Sequence, residues 1–234
     1  MSEVPVIMCT WRRINRLEKT IRLLEAQKSG THPELYIWNN NFAEKDAIDS
    51  IIVRSHIRVK AYHHHENIGG FGRFYFARIL AEKHPFIIFI DDDQEFDKNF
   101  LETFFLEATP KTLISYWAFR INNYENYWNR EPLRPYEDAV YCGTGGMICD
   151  SSLFKDSRLY DCPFEYRFIE DLWLSYFASH ILGWRLLKSS ALLSIIEDGL
   201  DQGIDLTEKK NNFLKLLVAS GWRYPIRVSS NINY

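Results

Sequence analysis

Three consecutive aspartates, Asp91, Asp92 and Asp93, close the apolar run "FIIFI" at 86–90. Adjacent carboxylates at the mouth of a low-dielectric core repel one another unless a cation or hydrogen-bond donors compensate. A hard divalent cation, Mn²⁺ or Mg²⁺, meets that need, because it accepts carboxylate oxygens and leaves positions for water and phosphate. Side chains alternate along an extended segment, so Asp91 and Asp93 are expected to project together as metal ligands, with Asp92 on the other side. A solvated acidic turn is the competing reading. A second acidic pair, Glu170 and Asp171 in "FIEDLWLS", could supply a base for proton transfer, or could be the negative charge that helix N-termini favour. Adjacent helical residues point about 100° apart, so the two cannot both face one reacting atom. The third feature is the turn "NIGGFG" at 67–72. Gly69 and Gly70 let the backbone approach a ligand, Asn67 offers amide hydrogen bonds, and Arg73 follows as a cation in the first turn of the next helix. It is neither a GxGxxG fingerprint nor a P-loop, since no Gly-Lys-Ser/Thr follows. A plain helix-entry turn is the alternative.

The elements that must position these residues alternate through the first half. "VPVIMC" (4–9) reads as a buried strand, and Ile14, Leu17, Ile21 and Leu24 recur after it at helical steps. "ELYIWN" is the next strand, "FAEKDAIDSIIV" the next helix and "IRVKAYH" the third strand. The glycine turn then opens a helix that ends near His84 and Pro85, before the "FIIFI" strand. Strand and helix alternating over short connections predict an α/β fold, a mostly parallel central sheet with helices on both faces. Ligands of such sheets bind beyond the carboxyl ends of the strands, where the three aspartates lie. In the second half "TLISYWAF" reads as one strand, 120–140 as a long aromatic loop, and "FIEDLWLSYFASHILGW" as one amphipathic helix with Phe168, Leu172 and Tyr176 on a face.

No linker divides the chain, and 234 residues at 46% hydrophobic content suffice for one core, so a single domain, 1–234, is expected. A net charge of −3 argues against a nucleic-acid surface or a polybasic membrane patch. No apolar run is long enough for a transmembrane segment and the start lacks a signal-peptide layout, so a soluble, cytoplasmic protein is expected. Cys9, Cys142, Cys149 and Cys162 have no CxxC spacing and read as free thiols. His63, His64 and His65 are neighbours on an extended strand, where side chains diverge, so three convergent metal ligands are not expected and the stretch reads as the edge of the ligand pocket or a surface feature.

Taken in order, "ENIGGFGRFYFAR", "IFIDDDQEF" and "FIEDLWLS" resemble GT-A-fold glycosyltransferases of family 2, especially members with an NxGGxGxF turn such as galactofuranosyl- and rhamnosyltransferases. The likeness runs from Val4 to about Trp184. It implies a Rossmann-like GT-A sheet, a nucleotide-diphosphate sugar donor with UDP-sugars the first choice, and a carbohydrate acceptor. It also implies a donor-binding half, 1–95, and an acceptor-binding half, 96–234. By this resemblance Thr10, Trp11 and Arg13 of "CTWRR" lie against the donor's base and ribose, and Asp91 and Asp92 belong to the donor site. Asp171 is then the base, and Glu170 orients or binds the acceptor hydroxyl. "CGTGGMICD", with Gly143, Gly145 and Gly146, lines the donor sugar and acceptor, though a tight bend between strands also explains the glycines.

A donor diphosphate brings about two negative charges, to be met by the cation at Asp91 and Asp93 and by Arg73. Asn39, Asn40 and Asn41 end a strand on the same sheet edge; Asn40 is read either as a nucleobase contact or as a helix cap. Tyr116, Trp117, Tyr124, Tyr127, Trp128 and Tyr136 either stack on sugar rings or pack the loop. Many members of the resembling family carry a late histidine as third metal ligand. Here that region reads "SALLSIIEDGLDQGID", which leaves Glu197, Asp198 or water for the position. Two other classes remain. A sugar-phosphate nucleotidyltransferase would share the fold and aspartates, but its glycine-rich, Arg/Lys-bearing opening loop is missing from "VIMCTWRR". A catalytically silent nucleotide-sugar or glycan-binding domain is the third.

Overall fold

In the computed structural model, which describes residues 3–28, 30, 32–197 and 206–224, four strands run parallel at the start of the chain. They are β1 (Glu3–Thr10), β2 (His32–Asn39), β3 (Arg58–His63) and β4 (Phe86–Asp91), joined through α1 (Ile14–Glu25), α2 (Lys45–Ile52) and α3 (Gly72–Leu80). β5 (Gln94–Phe96) and α4 (Phe100–Glu107) follow, then β6 (Thr112–Ser115), β7 (Ala118–Ile121), β8 (Arg130–Pro132), β9 (Tyr141–Cys142) and β10 (Met147–Asp150). The described chain closes with α5 (Glu170–Tyr176), β11 (Arg185–Lys188), β12 (Leu193–Ile195) and α6 (Thr207–Ala219). The main sheet has the order β11-β6-β10-β4-β1-β2-β3; β10 alone runs antiparallel to its neighbours, and β11 returns parallel to β6.

Both faces of the sheet's centre are buried, which is why β1 and β4 read as continuous apolar runs, whereas the edge strand β3 alternates between exposed and half-buried positions. On β4, Ile88 and Ile90 face a cluster under α1, α2 and α4, whereas Ile87 and Phe89 face the cluster under α3 and α5. The expected α/β architecture is therefore the one formed. Among the described residues no helix is long and apolar enough to cross a membrane.

Three expectations for local structure need correction. "TLISYWAF" is two strands in different sheets, because Ser115 bends the chain. Its hydroxyl accepts from the Trp117 amide at 3.0 Å and donates to the Gly143 carbonyl at 2.7 Å. The segment 120–140 is only partly loop: β8 pairs antiparallel with β7, and β7 with β9, in a separate three-stranded sheet. The single helix expected over 168–184 is broken into a 3₁₀ stretch at Phe164–Ile169, the two-turn α5, and a π turn at Phe177–Ile181. In that last turn the Leu182 amide bonds Phe177 rather than the residue four back, and the Ser179 hydroxyl bonds the Ser175 carbonyl at 2.7 Å.

Candidate active site

A cleft of about 410 Å³ opens beyond the carboxyl ends of β1 and β4. It gathers the candidate residues Thr10, Trp11, Arg13, Asn40, Asn67, Gly69, Gly70, Arg73, Asp91, Asp92, Asp93, Gly145, Glu170 and Asp171. Gly146 does not line it; this glycine packs beneath the Leu193 side chain.

The aspartates are not arranged as strand alternation predicts. β4 ends at Asp91, and Asp92 and Asp93 form the turn into β5, where pleating no longer separates them. Arg13 reaches both, at 3.1 Å from Asp92 and 3.8 Å from Asp93. Asp91 is held from behind by the buried Arg73, whose Nη2 donates to Oδ1 at 2.8 Å. Gln94, absent from the sequence reading, accepts from the Asp91 amide at 3.0 Å and so fixes where the strand stops.

Arg73 differs most from its expected role. Its side chain is 5% exposed, and its Nε donates to the Gly70 carbonyl at 3.1 Å while lying 3.8 Å from Glu170. Burial alone would lower its pKa, but Asp91, Cys9 and Glu170 together raise it above the ordinary arginine value. Its charge therefore neutralises the carboxylates between which it is buried. Nη1 is buried and has no hydrogen-bond partner among the described residues. Arg12, by contrast, is exposed at the rim with its guanidinium 3.7 Å over the Trp11 ring. The "CTWRR" signal contained it, but sequence alone could not tell which arginine would point outward.

The suitability of the aspartates for a divalent cation follows from their surroundings. Burial, then repulsion from Asp91, pushes the Asp93 carboxyl up to about 7, so this group is short of positive charge. Asp91 is the most open of the three, at 36% side-chain exposure against 13% and 20%. Only its Oδ1 is engaged by Arg73; Oδ2 faces Gly145, where an added Cβ would overlap it. Carboxylate oxygens are the ligand type that Mn²⁺ or Mg²⁺ accepts, with water or phosphate completing the shell. Among the described residues no group of three or more His, Cys, Asp or Glu side chains is arranged to hold a metal. The strand β12 does come to this turn, since the Ile196 amide donates to the Asp93 carbonyl at 2.8 Å. Glu197 is therefore near in sequence to that contact and exposed, while Asp198 lies outside the described residues.

Asn40 proves to be a clamp. Its Nδ2 donates to the Gly69 carbonyl at 3.0 Å, and its Oδ1 accepts from Trp38 Nε1 at 3.2 Å and the Ile68 amide at 3.1 Å. These bonds tie the end of β2 to the glycine turn and neither cap a helix nor leave the carbonyl free. Asn67 accepts from the Gly69 amide at 2.9 Å and shapes the same turn. Gly70 must be glycine because a Cβ there would overlap the Glu170 carboxylate. The histidines diverge as expected: His63 bonds Asn39 and Asp49, His64 stacks on Trp38 and His65 on Phe42.

Glu170 and Asp171 occupy different environments at the start of α5. Glu170 is buried, accepts from the Thr144 hydroxyl at 3.0 Å, and is pushed up to about 7 by burial, against the pull of Arg73. Asp171 is only partly buried and accepts a hydrogen bond from the Tyr141 hydroxyl on Oδ2, with the Leu172 amide on Oδ1 at 2.7 Å. β9 is fastened to α5 twice, by this bond and by Ser175, which accepts from the Cys142 amide at 3.0 Å.

The profile of the glycosyl transferase family 2, described as "Glycosyl transferase family 2", matches residues 6–171, most of the chain. The chain belongs to glycosyl transferase family 2. No curated protein matches it in sequence. Among solved structures, it is similar to TarS 1–349 of S. aureus in complex with UDP, with a TM-score of 0.57 and 18% identity over 80% of this chain and 57% of that one. It is also similar to the mannosyltransferase PcManGT of Pyrobaculum calidifontis in complex with GDP-Man and Mn²⁺, with a TM-score of 0.65 and 14% identity over 95% of this chain and 65% of that one. A third likeness is to GalNAc-T7 with UDP, GalNAc and Mn²⁺, with a TM-score of 0.65 and 14% identity over 84% of this chain and 44% of that one. The chain thus spans less than two thirds of the length of each. The shared fold is GT-A, as the sequence motifs imply.

Within this family 2 fold, several cleft residues escaped the sequence reading: Arg12, Gln94, Phe119, Arg130, Thr144 and Lys210. Thr144 stood inside the quoted "CGTGG", yet only the tertiary contact with Glu170 gives it a task. Lys210 lies on α6, whose buried face, Phe213, Leu214 and Leu217, is spaced at helical steps in the sequence. Of the aromatics, Trp117, Tyr127 and Trp128 line the cleft; Tyr116, Tyr124 and Tyr136 do not.

Proposed function

We propose that this family 2 protein transfers a sugar from a nucleotide-diphosphate donor, a UDP-sugar first, to a hydroxyl of a glycan acceptor. One observation carries the reading: the aspartate turn, the glycine turn and the Asp171–Tyr141 pair converge on a single cleft beyond the sheet's carboxyl edge. The donor enters on the 1–95 side. Thr10 and Trp11 lie against its base and ribose, the backbone at Gly69 and Gly70 lets the diphosphate approach, and Arg12 supplies a cation that no carboxylate of the described residues neutralises. Asp91 and Asp93 would hold Mn²⁺ or Mg²⁺, which when bound would offset the diphosphate charge. UDP and Mn²⁺ in the solved structures of similar fold support both assignments.

Asp171 is the base. It is the less buried of the two acids, it faces the cleft, and Tyr141 fixes the orientation of one oxygen by donating to Oδ2. It takes the proton of the acceptor hydroxyl as that oxygen attacks the anomeric carbon and the carbon's bond to the diphosphate breaks, releasing the nucleoside diphosphate in one in-line displacement that inverts configuration. Glu170 acts from behind, holding Thr144 and Arg73 in place. Four buried free cysteines support a reducing, cytoplasmic setting.

The test is turnover of a panel of UDP- and GDP-sugars with and without Mn²⁺, followed by Asp171→Asn. The variant should bind donor while losing transfer by about 10²- to 10⁴-fold, the usual worth of a positioned base. Transfer at the parental rate, or a product that retains the donor's configuration, overturns the assignment. Nucleotide-sugar synthesis from a nucleoside triphosphate would reveal a nucleotidyltransferase, and tight donor binding without turnover a silent binding domain.

A further inference from the structure

Five cations line the cleft, and they divide by partner. Arg13 and Arg73 are ion-paired with the aspartates, and Arg12 stands with Trp11 on the donor side. Arg130 and Lys210 are different. The Arg130 guanidinium lies 4.2 Å from the centroid of Phe119, 4.7 Å from those of Tyr127 and Trp128, and 5.9 Å from that of Tyr141. Lys210, carried in by α6, lies 5.1 Å from Tyr127 and 5.3 Å from Trp128. Two half-buried positive charges thus share two rings, and no carboxylate of the described residues pairs with either. The acid adjacent in sequence, Glu131, pairs instead with Arg120 at 2.8 Å. Arg130 also donates to the Tyr127 hydroxyl, but ring faces and a hydroxyl cancel no charge, so both cations keep a full positive charge that an anionic ligand in the cleft would meet.

The place of this cluster says what the anion belongs to. Tyr141, which borders Arg130, is the residue whose hydroxyl bonds the Asp171 carboxylate, so the cluster adjoins the acceptor side of the proposed reaction. Aromatic faces such as Trp128, 40% exposed, suit the apolar C–H face of a sugar ring, and the flanking cations suit anionic oxygens. We infer that Arg130 and Lys210 form an acceptor subsite for an anionic glycan, one bearing a carboxylate or phosphate close to the hydroxyl that is glycosylated. This deepens the proposed function and rests on its assignment of Asp171.

The full chain is titrated, with and without UDP, against two matched pairs of probes, methyl glucuronide with methyl glucoside, and glucose 6-phosphate with glucose, using tryptophan fluorescence. At low salt the anion of at least one pair should bind roughly tenfold or more tighter than its neutral partner, the worth of one charge-assisted hydrogen bond. That preference should shrink towards parity in Arg130→Gln, in Lys210→Gln, and at about 0.5 M salt, where such charges are screened. Which pair shows it names the anion. Lys210 sits on a helix surface, so its variant reads the charge even where loss of Arg130 unsettles the aromatic cluster. Equal binding of charged and neutral probes overturns the inference, as does a preference that survives both substitutions, which would locate the anion at the donor cations. Donor failure is separate: no response to UDP alongside an intact anion preference sinks the donor reading and leaves this subsite standing.

Discussion

Glu170 is buried against Arg73 on α3 and Thr144, with Asp171 beside it and Asp91 contributing repulsion, and its carboxyl is pushed up to about 7 chiefly by desolvation. Its unfolded pKa is near 4.3, so between the two values the folded state binds more protons than the unfolded one. Stability contributed by the neutral carboxyl is full below the lower value and declines as pH rises through about 7. The slope is on the order of 1 kcal/mol per pH unit at most. Glu170→Gln keeps the acceptor for Thr144 and removes the charge. Urea unfolding should show the variant more stable than the parent at pH 8, with the gap narrowing as pH falls and closing at about pH 4. A parent that instead gains on the variant as pH rises would mean that Arg73 outweighs desolvation at this site.

The glycine turn, as an element, is held on three sides. Asn40 pins it to β2, Arg73 closes it from the first turn of α3, and Glu170 of α5 lies where a side chain on Gly70 would have to go. Gly70→Ala must therefore displace either the turn or the Glu170 carboxylate, at a cost of about 1–3 kcal/mol for overpacking. Donor affinity should fall with stability, because the displaced backbone is the part that approaches the diphosphate. A denaturation midpoint and a UDP titration measured on the same preparation check this. Parental values in both would show that the turn has slack the structure does not display.

At the scale of the whole molecule, the cleft takes residues from the β1 end, the glycine turn, the aspartate turn, β9, α5 and α6, so ligand and fold are coupled. A UDP-sugar with Mn²⁺ at a hundredfold excess over its dissociation constant should add about 2.7 kcal/mol of stability, visible as a raised Tm, whereas the free sugar should add none. Asp93→Asn should abolish the metal-dependent part of that rise. The ligand-free variant should melt at or slightly above the parent, since a repelled, half-buried carboxylate has become neutral. Equal metal titrations for the two proteins would leave the acidic turn without a ligand role.

The strand and helix alternation of residues 4–91, the α/β class and the chemistry-bearing triplets were legible in the sequence, because burial on both faces of a parallel sheet writes uninterrupted apolar runs and catalytic types stand out against them. The second half was less legible, since its breaks are made by single side chains: Ser115 splitting a strand and Ser179 loosening a helix look like ordinary polar residues until their partners are known. Roles depended still more on tertiary contacts. Arg73 reads as a free cation in one dimension and is a buried counter-ion in three, Asn40 reads as either a nucleobase contact or a helix cap and ties β2 to the glycine turn, and Arg130 and Lys210, 80 positions apart, both lie against the same two rings. Residue type sets which chemistry is available, but the charge left over for a substrate is a sum over neighbours, and only the fold determines who those neighbours are.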